Sequence, residues 1–147
     1  MKNLQFDHER LAVYRTAIGF IEWVTEILRD IPKGAAVHNQ LDRASTSIPL
    51  NIGEGTAKFT APDRCRFFDS ARGSAVECAA CLDVAVAKGF VTRSQIEAGR
   101  VSLTEIVAML IGLIRANDGS RFCEEEALYS ASSSIDLPST EQHSATK

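Results

Sequence analysis

Two residue types in this sequence suit metal or redox work: cysteines at 65, 78, 81 and 123, and histidines at 8, 38 and 143. Cys78 and Cys81 form a C-x-x-C. That spacing serves redox or zinc chemistry when a helix N-terminus or further ligands stand beside it. Here the surrounding pattern is helical on both sides, so nothing stabilises a thiolate. Cys65 lies 13 residues before Cys78, about 20 Å away along one straight helix. All four are expected to be reduced, and to act as small buried apolar residues. No histidine stands at i,i+4 from another histidine or a cysteine, so helical metal ligation has no support. No metal and no cofactor is expected. G-x-S-x-G, Walker A and G-x-G-x-x-G motifs are all absent.

The denser candidate is the stretch Arg43-Ala-Ser-Thr-Ser-Ile-Pro-Leu-Asn-Ile-Gly-Glu-Gly55. At about 100° per residue, Leu41, Ala44, Ile48 and Ile52 share one helix face, and Arg43, Ser47, Asn51 and Glu54 fall in a line beside it. A second polar line, Ser70, Ser74 and Glu77, flanks the apolar stripe of the next helix. Polar residues bordering a core stripe must be paired if they are covered. Arg43 and Glu77 are candidates to pair across the bundle or across a subunit contact, with Ser47, Asn51, Ser74 and Glu54 satisfying the remaining donors and acceptors. Glu54 and Glu77 held close together would shift each other's pKa and form an acid/base pair. With Arg43 nearby, a salt bridge is the simpler reading, and no catalytic residue is assigned.

Nucleic-acid contact has one candidate, the loop between the second and third helices. Lys58, Phe59, Arg64 and Arg66 put three cations beside an aromatic ring, the means to touch phosphate and stack a base. The alternative is a solvated loop with Phe59 tucked beneath it.

Four helices must position these residues. The first is expected over about Glu9–Asp30, with Asp7 as N-cap and a stripe of Leu11, Tyr14, Ile18, Ile21, Val24 and Leu28. Phe20 and Trp23 widen its apolar surface, Trp23 serving either as an interface anchor or as core. Ile31-Pro-Lys-Gly34 stops it. The second runs from about Ala36 to Gly55, kinked at Pro49 and weakened and ended by Gly53 and Gly55. Thr60, Pro62 and Asp63 start the third, over about Ala61–Lys88, with Gly89 as its C-cap and Phe68, Ala71, Ala75, Cys78, Leu82 and Ala85 as its stripe. Gly73 at its middle suggests close packing. The fourth follows Thr92, where Thr92 and Gln95 have capping-box spacing. Its face is Ile96, Leu103, Ile106, Val107, Leu110, Leu113 and Ile114, and Asn117-Asp-Gly119 ends it. Short connections favour antiparallel neighbours. The expected fold is all-α, an antiparallel up-down-up-down four-helix bundle over residues 1–118.

Charge divides the chain at the same place. Residues 1–118 hold 14 basic and 14 acidic side chains, whereas residues 119–147 carry a net −3. The latter are expected to form an acidic, Ser-rich, largely flexible tail, with Phe122–Tyr129 able to add a helical turn or two. A balanced body with an acidic tail does not match a strongly basic nucleic-acid binder. No apolar run reaches the ~18 residues that span a bilayer, and the first residues lack an apolar signal core. A cytoplasmic protein without membrane contact is expected.

Leu11-Ala-Val-Tyr14 with Ala17, Ile31-Pro32, the Arg43–Gly55 stretch, and Ala71-Arg-Gly-Ser74 with Glu77 together resemble the bacterial S23 family, also called 23S rRNA intervening-sequence proteins. The resemblance covers about residues 8–117. It implies a small helical bundle that assembles into a homopentameric ring, and it implies no catalytic residues. A related branch, the accessory proteins of diversity-generating retroelements, works with a reverse transcriptase and RNA. Those relatives are strongly basic, and this chain is not. The reading is therefore a non-enzymatic, self-associating interaction protein. The alternative is an accessory factor for RNA or a ribonucleoprotein, and a small enzyme using the polar line ranks third.

Overall fold

The computed structural model describes residues 4–117. Among them are four α-helices, α1 (Ala12–Asp30), α2 (Ala36–Ala57), α3 (Ala61–Ala87) and α4 (Arg93–Asn117), preceded by one 3-10 turn, Asp7–Arg10, and no strand. Each helix packs on its neighbours in sequence, and α1 closes the cycle against α4. Side chains mark the antiparallel order. Gln95 at the start of α4 donates to Asp30 at the end of α1 (3.4 Å), and Arg64 at the start of α3 reaches Asn117 at the end of α4 (3.5 Å). The expected tail, residues 119–147, lies outside the described residues, as does the Phe122–Tyr129 turn.

The helix ends obey local chemistry. Thr92 and Gln95 form both bonds of a capping box: the Gln95 amide donates to Thr92 Oγ1 (3.2 Å), and the Thr92 amide donates to Gln95 Oε1 (2.8 Å). Thr60 Oγ1 accepts from the Asp63 amide at 3.4 Å, with Pro62 in the first turn. Gly89 follows the end of α3 at φ +75°, the left-handed conformation that lets the Phe90 amide bond back to Ala85.

Two expectations for the first helix are corrected. Asp7 does not cap α1. It opens the 3-10 turn, in which the Phe6 amide donates to Glu9 Oε2, and α1 begins after Leu11 with no side-chain cap. The buried stripe is also rotated, to Val13, Ala17, Phe20, Val24 and Ile27, continued by Ile31. Of the expected stripe only Val24 is fully buried. Leu11, Tyr14 and Leu28 flank the core, and Ile18 is exposed. Both sides of α1 carry apolar residues, so the arc is wide and its centre is set by α2 and α4.

The inner pair needs no such rotation. Leu41, Ala44, Ile48 and Ile52 of α2 are buried, as are Phe68, Ala71, Ala75, Cys78, Leu82 and Ala85 of α3. The small side chains of α3 let α2 approach, and this pair shares the most extensive contact in the bundle. Gly55 belongs to that approach and does not end α2, which continues to Ala57. A Cβ there would lie 2.8 Å from Phe68 Cε1. Gly73 behaves oppositely: the expected close packing is missing among the described residues, and a Cβ would meet nothing within 4 Å. In α4, Ile96, Leu103, Ile106, Leu110 and Ile114 are buried, and Val107 and Leu113 are half-buried at the edges.

Candidate functional site: the polar seam of α2 and α3

The Arg43–Gly55 stretch is helical throughout. Pro49 removes the amide that would bond to the Ser45 carbonyl, yet it is buried inside the helix. Ser45, also buried, turns its own hydroxyl to the Asp42 carbonyl at 2.9 Å. With the apolar stripe turned to the core, the polar line falls at the α2–α3 edge.

There the two hydrophilic edges meet. The Ser47 and Ser74 hydroxyls share a hydrogen bond at 2.9 Å, and Asn51 Nδ2 donates to both Ser47 Oγ (2.8 Å) and the Ser47 carbonyl (2.9 Å). All three residues are half-buried. Among the described residues, no buried side-chain nitrogen or oxygen lacks a partner.

The charged ends of the line are arranged differently. Arg43, Glu54 and Glu77 are exposed. Glu54 pairs with Lys58 one turn on, at 3.7 Å. Among the described residues Arg43 and Glu77 make no ion pair with each other or with any other side chain. The pairing considered across the bundle is thus absent within the chain. Outside the Ser47–Asn51 edge, Asp42, Arg43, Thr46, Leu50 and Glu54 complete a shallow groove of about 360 Å³, with Leu50 63% exposed. Such a surface, open and mixed in charge, suits contact with another macromolecule better than enclosure of a small substrate.

The loop candidate is split by the structure. Arg64 turns inward: Nε donates to the Lys58 carbonyl (2.8 Å) and a terminal nitrogen to the Phe59 carbonyl (3.3 Å), so this guanidinium holds the loop in shape. Arg66 faces Asp63 at 3.6 Å, and both Arg66 and Lys58 lie over the Phe67 ring. Phe59 is not tucked beneath the loop but 96% exposed. Sequence reasoning placed the cations together but missed that the loop carbonyls would consume one of them.

Cys65, Cys78 and Cys81 are buried, as expected, and Cys123 lies outside the described residues. Burial pushes the Cys78 thiol up to about 12, with the neighbouring Cys81 and Glu77 adding to the rise. A thiol held neutral in this way is a poor nucleophile at neutral pH. Of the histidines, His8 stacks on Phe6 and meets the Tyr14 ring edge-on.

Trp23 is half-buried and stacks on Phe20 in the core (ring centroids 5.6 Å apart). Across the α1–α4 contact it covers Gly99, a contact that single-sequence reasoning had no means to find.

The family model for 23S rRNA-intervening sequence proteins matches residues 9–112, the bundle almost end to end. The chain belongs to that family. A crystal structure of a protein of unknown function from the S23 ribosomal protein family of Bacteroides thetaiotaomicron VPI-5482 resembles this family member, with a TM-score of 0.66 at 24% identity over 70% of this chain and 95% of that one. At that identity the likeness establishes the fold alone. No curated protein matches the chain. In this 23S rRNA-intervening sequence protein no helix among the described residues is long and apolar enough to cross a membrane.

Proposed function

We propose that this protein is a non-enzymatic building block that assembles with copies of itself into a five-membered ring, and that the ring is a cytoplasmic interaction platform. The observation that carries this reading is the state of the α2–α3 edge. Its neutral centre is satisfied by the Ser47–Ser74 bond, while Arg43 and Glu77 stand exposed beside it without an ion pair among the described residues. Leu50, largely exposed on the same side, adds an apolar contact. A neighbouring copy that pairs Arg43 with an acid and covers Leu50 would use all three, and a head-to-tail contact of this kind closes into a ring when the rotation allows. Sedimentation velocity tests it. The expected species has about five times the 16.0 kDa mass of the chain, and Arg43→Ala lowers that mass. A wild-type chain that stays monomeric at tens of micromolar refutes the reading.

A second reading rests on Phe59. A ring so exposed, on a loop that Arg64 holds in shape, would offer its face to an unpaired base. The chain would then be an accessory factor for RNA or a ribonucleoprotein, in keeping with the family's name. Retention of ribosomal RNA that weakens with salt and is lost in Phe59→Ser supports it. No retention at low salt rules it out.

A further inference from the structure

We propose that Phe6 and Phe59 act together, as two stacking surfaces for one single-stranded RNA segment passing over the end of the bundle between the 3-10 turn and the α2–α3 loop. This rests on the second reading above and names its ligand as unpaired RNA held on two rings. Both rings stand outside the core, Phe59 96% and Phe6 75% exposed. The packing of the turn on α2 brings them to the same end of the fold. Phe6, Asp7 and His8 face Gly53, Thr56 and Ala57 across a cleft of about 120 Å³, which Gly53 lines without a side chain. Phe59 follows Ala57 by two residues, at most about 7 Å of chain.

Each ring is held by its own backbone anchor. The Phe6 amide donates to Glu9 Oε2 (2.9 Å), and Arg15 Nη1 donates to the carbonyls of Glu9 and Arg10 (both 3.1 Å), which fixes the turn. Arg64 does the same for the loop that carries Phe59. The Phe6 ring lies nearly parallel to His8, at 13° with centroids 5.7 Å apart. That offset stack leaves the outer face of Phe6 open, and a base laid on it would continue the stack. Surfaces ordered in advance lose little entropy on binding.

Charge selects the occupant. Arg10, on the turn, is exposed and makes no ion pair among the described residues. Lys58 and Arg66, on either side of Phe59, face Glu54 and Asp63 at 3.7 and 3.6 Å, beyond ordinary hydrogen-bond length. Their donors stay available to phosphate, so cations flank both rings. A duplex keeps its base faces stacked on one another and could use only the cations, whereas an unpaired strand uses both features. Asp7, Glu9 and Asp63 are interleaved with the cations. That alternation suits the separate phosphates of a strand better than the continuous negative field of an anionic lipid surface.

The test is fluorescence anisotropy of the full chain with a labelled mixed-sequence RNA strand and with the blunt duplex of the same length. The single strand is expected to bind more tightly. Phe6→Ser and Phe59→Ser are each expected to weaken it about tenfold, within the range for losing one stacked base, and Phe6→Tyr to keep the affinity. Arg10→Gln is expected to reduce the slope of log affinity against log salt by about 0.7. Phe6 is exposed, so its serine variant is expected to unfold at the parent's temperature. Single-strand binding that falls in Phe59→Ser but not in Phe6→Ser overturns the two-ring site and leaves the second reading standing. Equal affinity for the duplex has the same consequence. Binding of neither RNA at low salt removes both, and Phe6-dependent binding to phosphatidylglycerol vesicles in that case assigns the rings to a lipid surface.

Discussion

Gly99 of α4 lies under the indole of Trp23 of α1. A Cβ on Gly99 would overlap the six-membered ring, with Trp23 Cε3 only 2.8 Å away. Glycine costs about 1 kcal/mol in a helix relative to alanine, but here it sets the distance at which α1 and α4 pack. Gly99→Ala is therefore expected to destabilise the fold by about 1–3 kcal/mol, the range for overpacking a core, despite the gain in propensity. Trp23→Leu should restore most of that loss in the double variant. Urea unfolding of the four chains of the cycle checks it, and an alanine variant as stable as the parent would contradict the contact.

The other helical glycines sort by the space beside them. Gly73 has nothing within 4 Å, whereas Gly55 faces Phe68 and Phe67. Gly73→Ala is expected to raise stability by about 0.5–1 kcal/mol, and Gly55→Ala to lower it by about 1 kcal/mol or more. Thermal unfolding at one protein concentration separates them. A Gly73→Ala chain that is more stable as a subunit but assembles less would place that residue at a subunit contact.

The Ser47–Ser74 bond predicts non-additive losses. Either alanine variant leaves the other hydroxyl half-buried without its cross-helix partner, at about 0.5–1.5 kcal/mol. Ser47→Ala also takes from Asn51 one of its two acceptors, so it should be the costlier of the two. The double variant removes both ends and is expected to cost less than the sum of the singles, with the coupling read from a denaturant double-mutant cycle.

Cys78 predicts a pH dependence with a definite sign. Its thiol pKa is raised from 9.0 to about 12 in the folded chain. The folded state holds the proton more tightly, so the stability linked to it is complete below pH 9 and is lost as pH rises from 9 toward 12, at no more than about 1.4 kcal/mol per pH unit. Cys81, shifted in the same direction by burial and by Glu77, adds to the slope. Equilibrium unfolding at several alkaline pH values should show the decline, and Cys78→Ala should flatten it. An unchanged slope in that variant would assign the decline to other groups.

The sequence by itself determined the number of helices, their order, most of their boundaries and the inward faces of α2, α3 and α4. Those properties follow from local signals: apolar spacing, the Thr60 and Thr92 caps and Gly89 at its positive φ. It also named the residues of the seam, because the polar lines on α2 and α3 each sit at a fixed angle from an unambiguous stripe.

Tertiary structure decided what depends on a neighbour. The wide apolar arc of α1 has no phase of its own, so packing on α2 and α4 rotated its buried stripe by about 80° from the one its spacing suggested. Gly55 reads as a helix end in sequence and Gly99 carries no signal there, yet both are points of close approach, since only the facing Phe68 and Trp23 reveal a missing Cβ. Arg64 looks like a free cation until the Lys58 and Phe59 carbonyls, exposed by the turn into α3, claim its donors. Spacing along a helix fixes direction, but distance to a partner is a property of two elements, and it exists only once they pack.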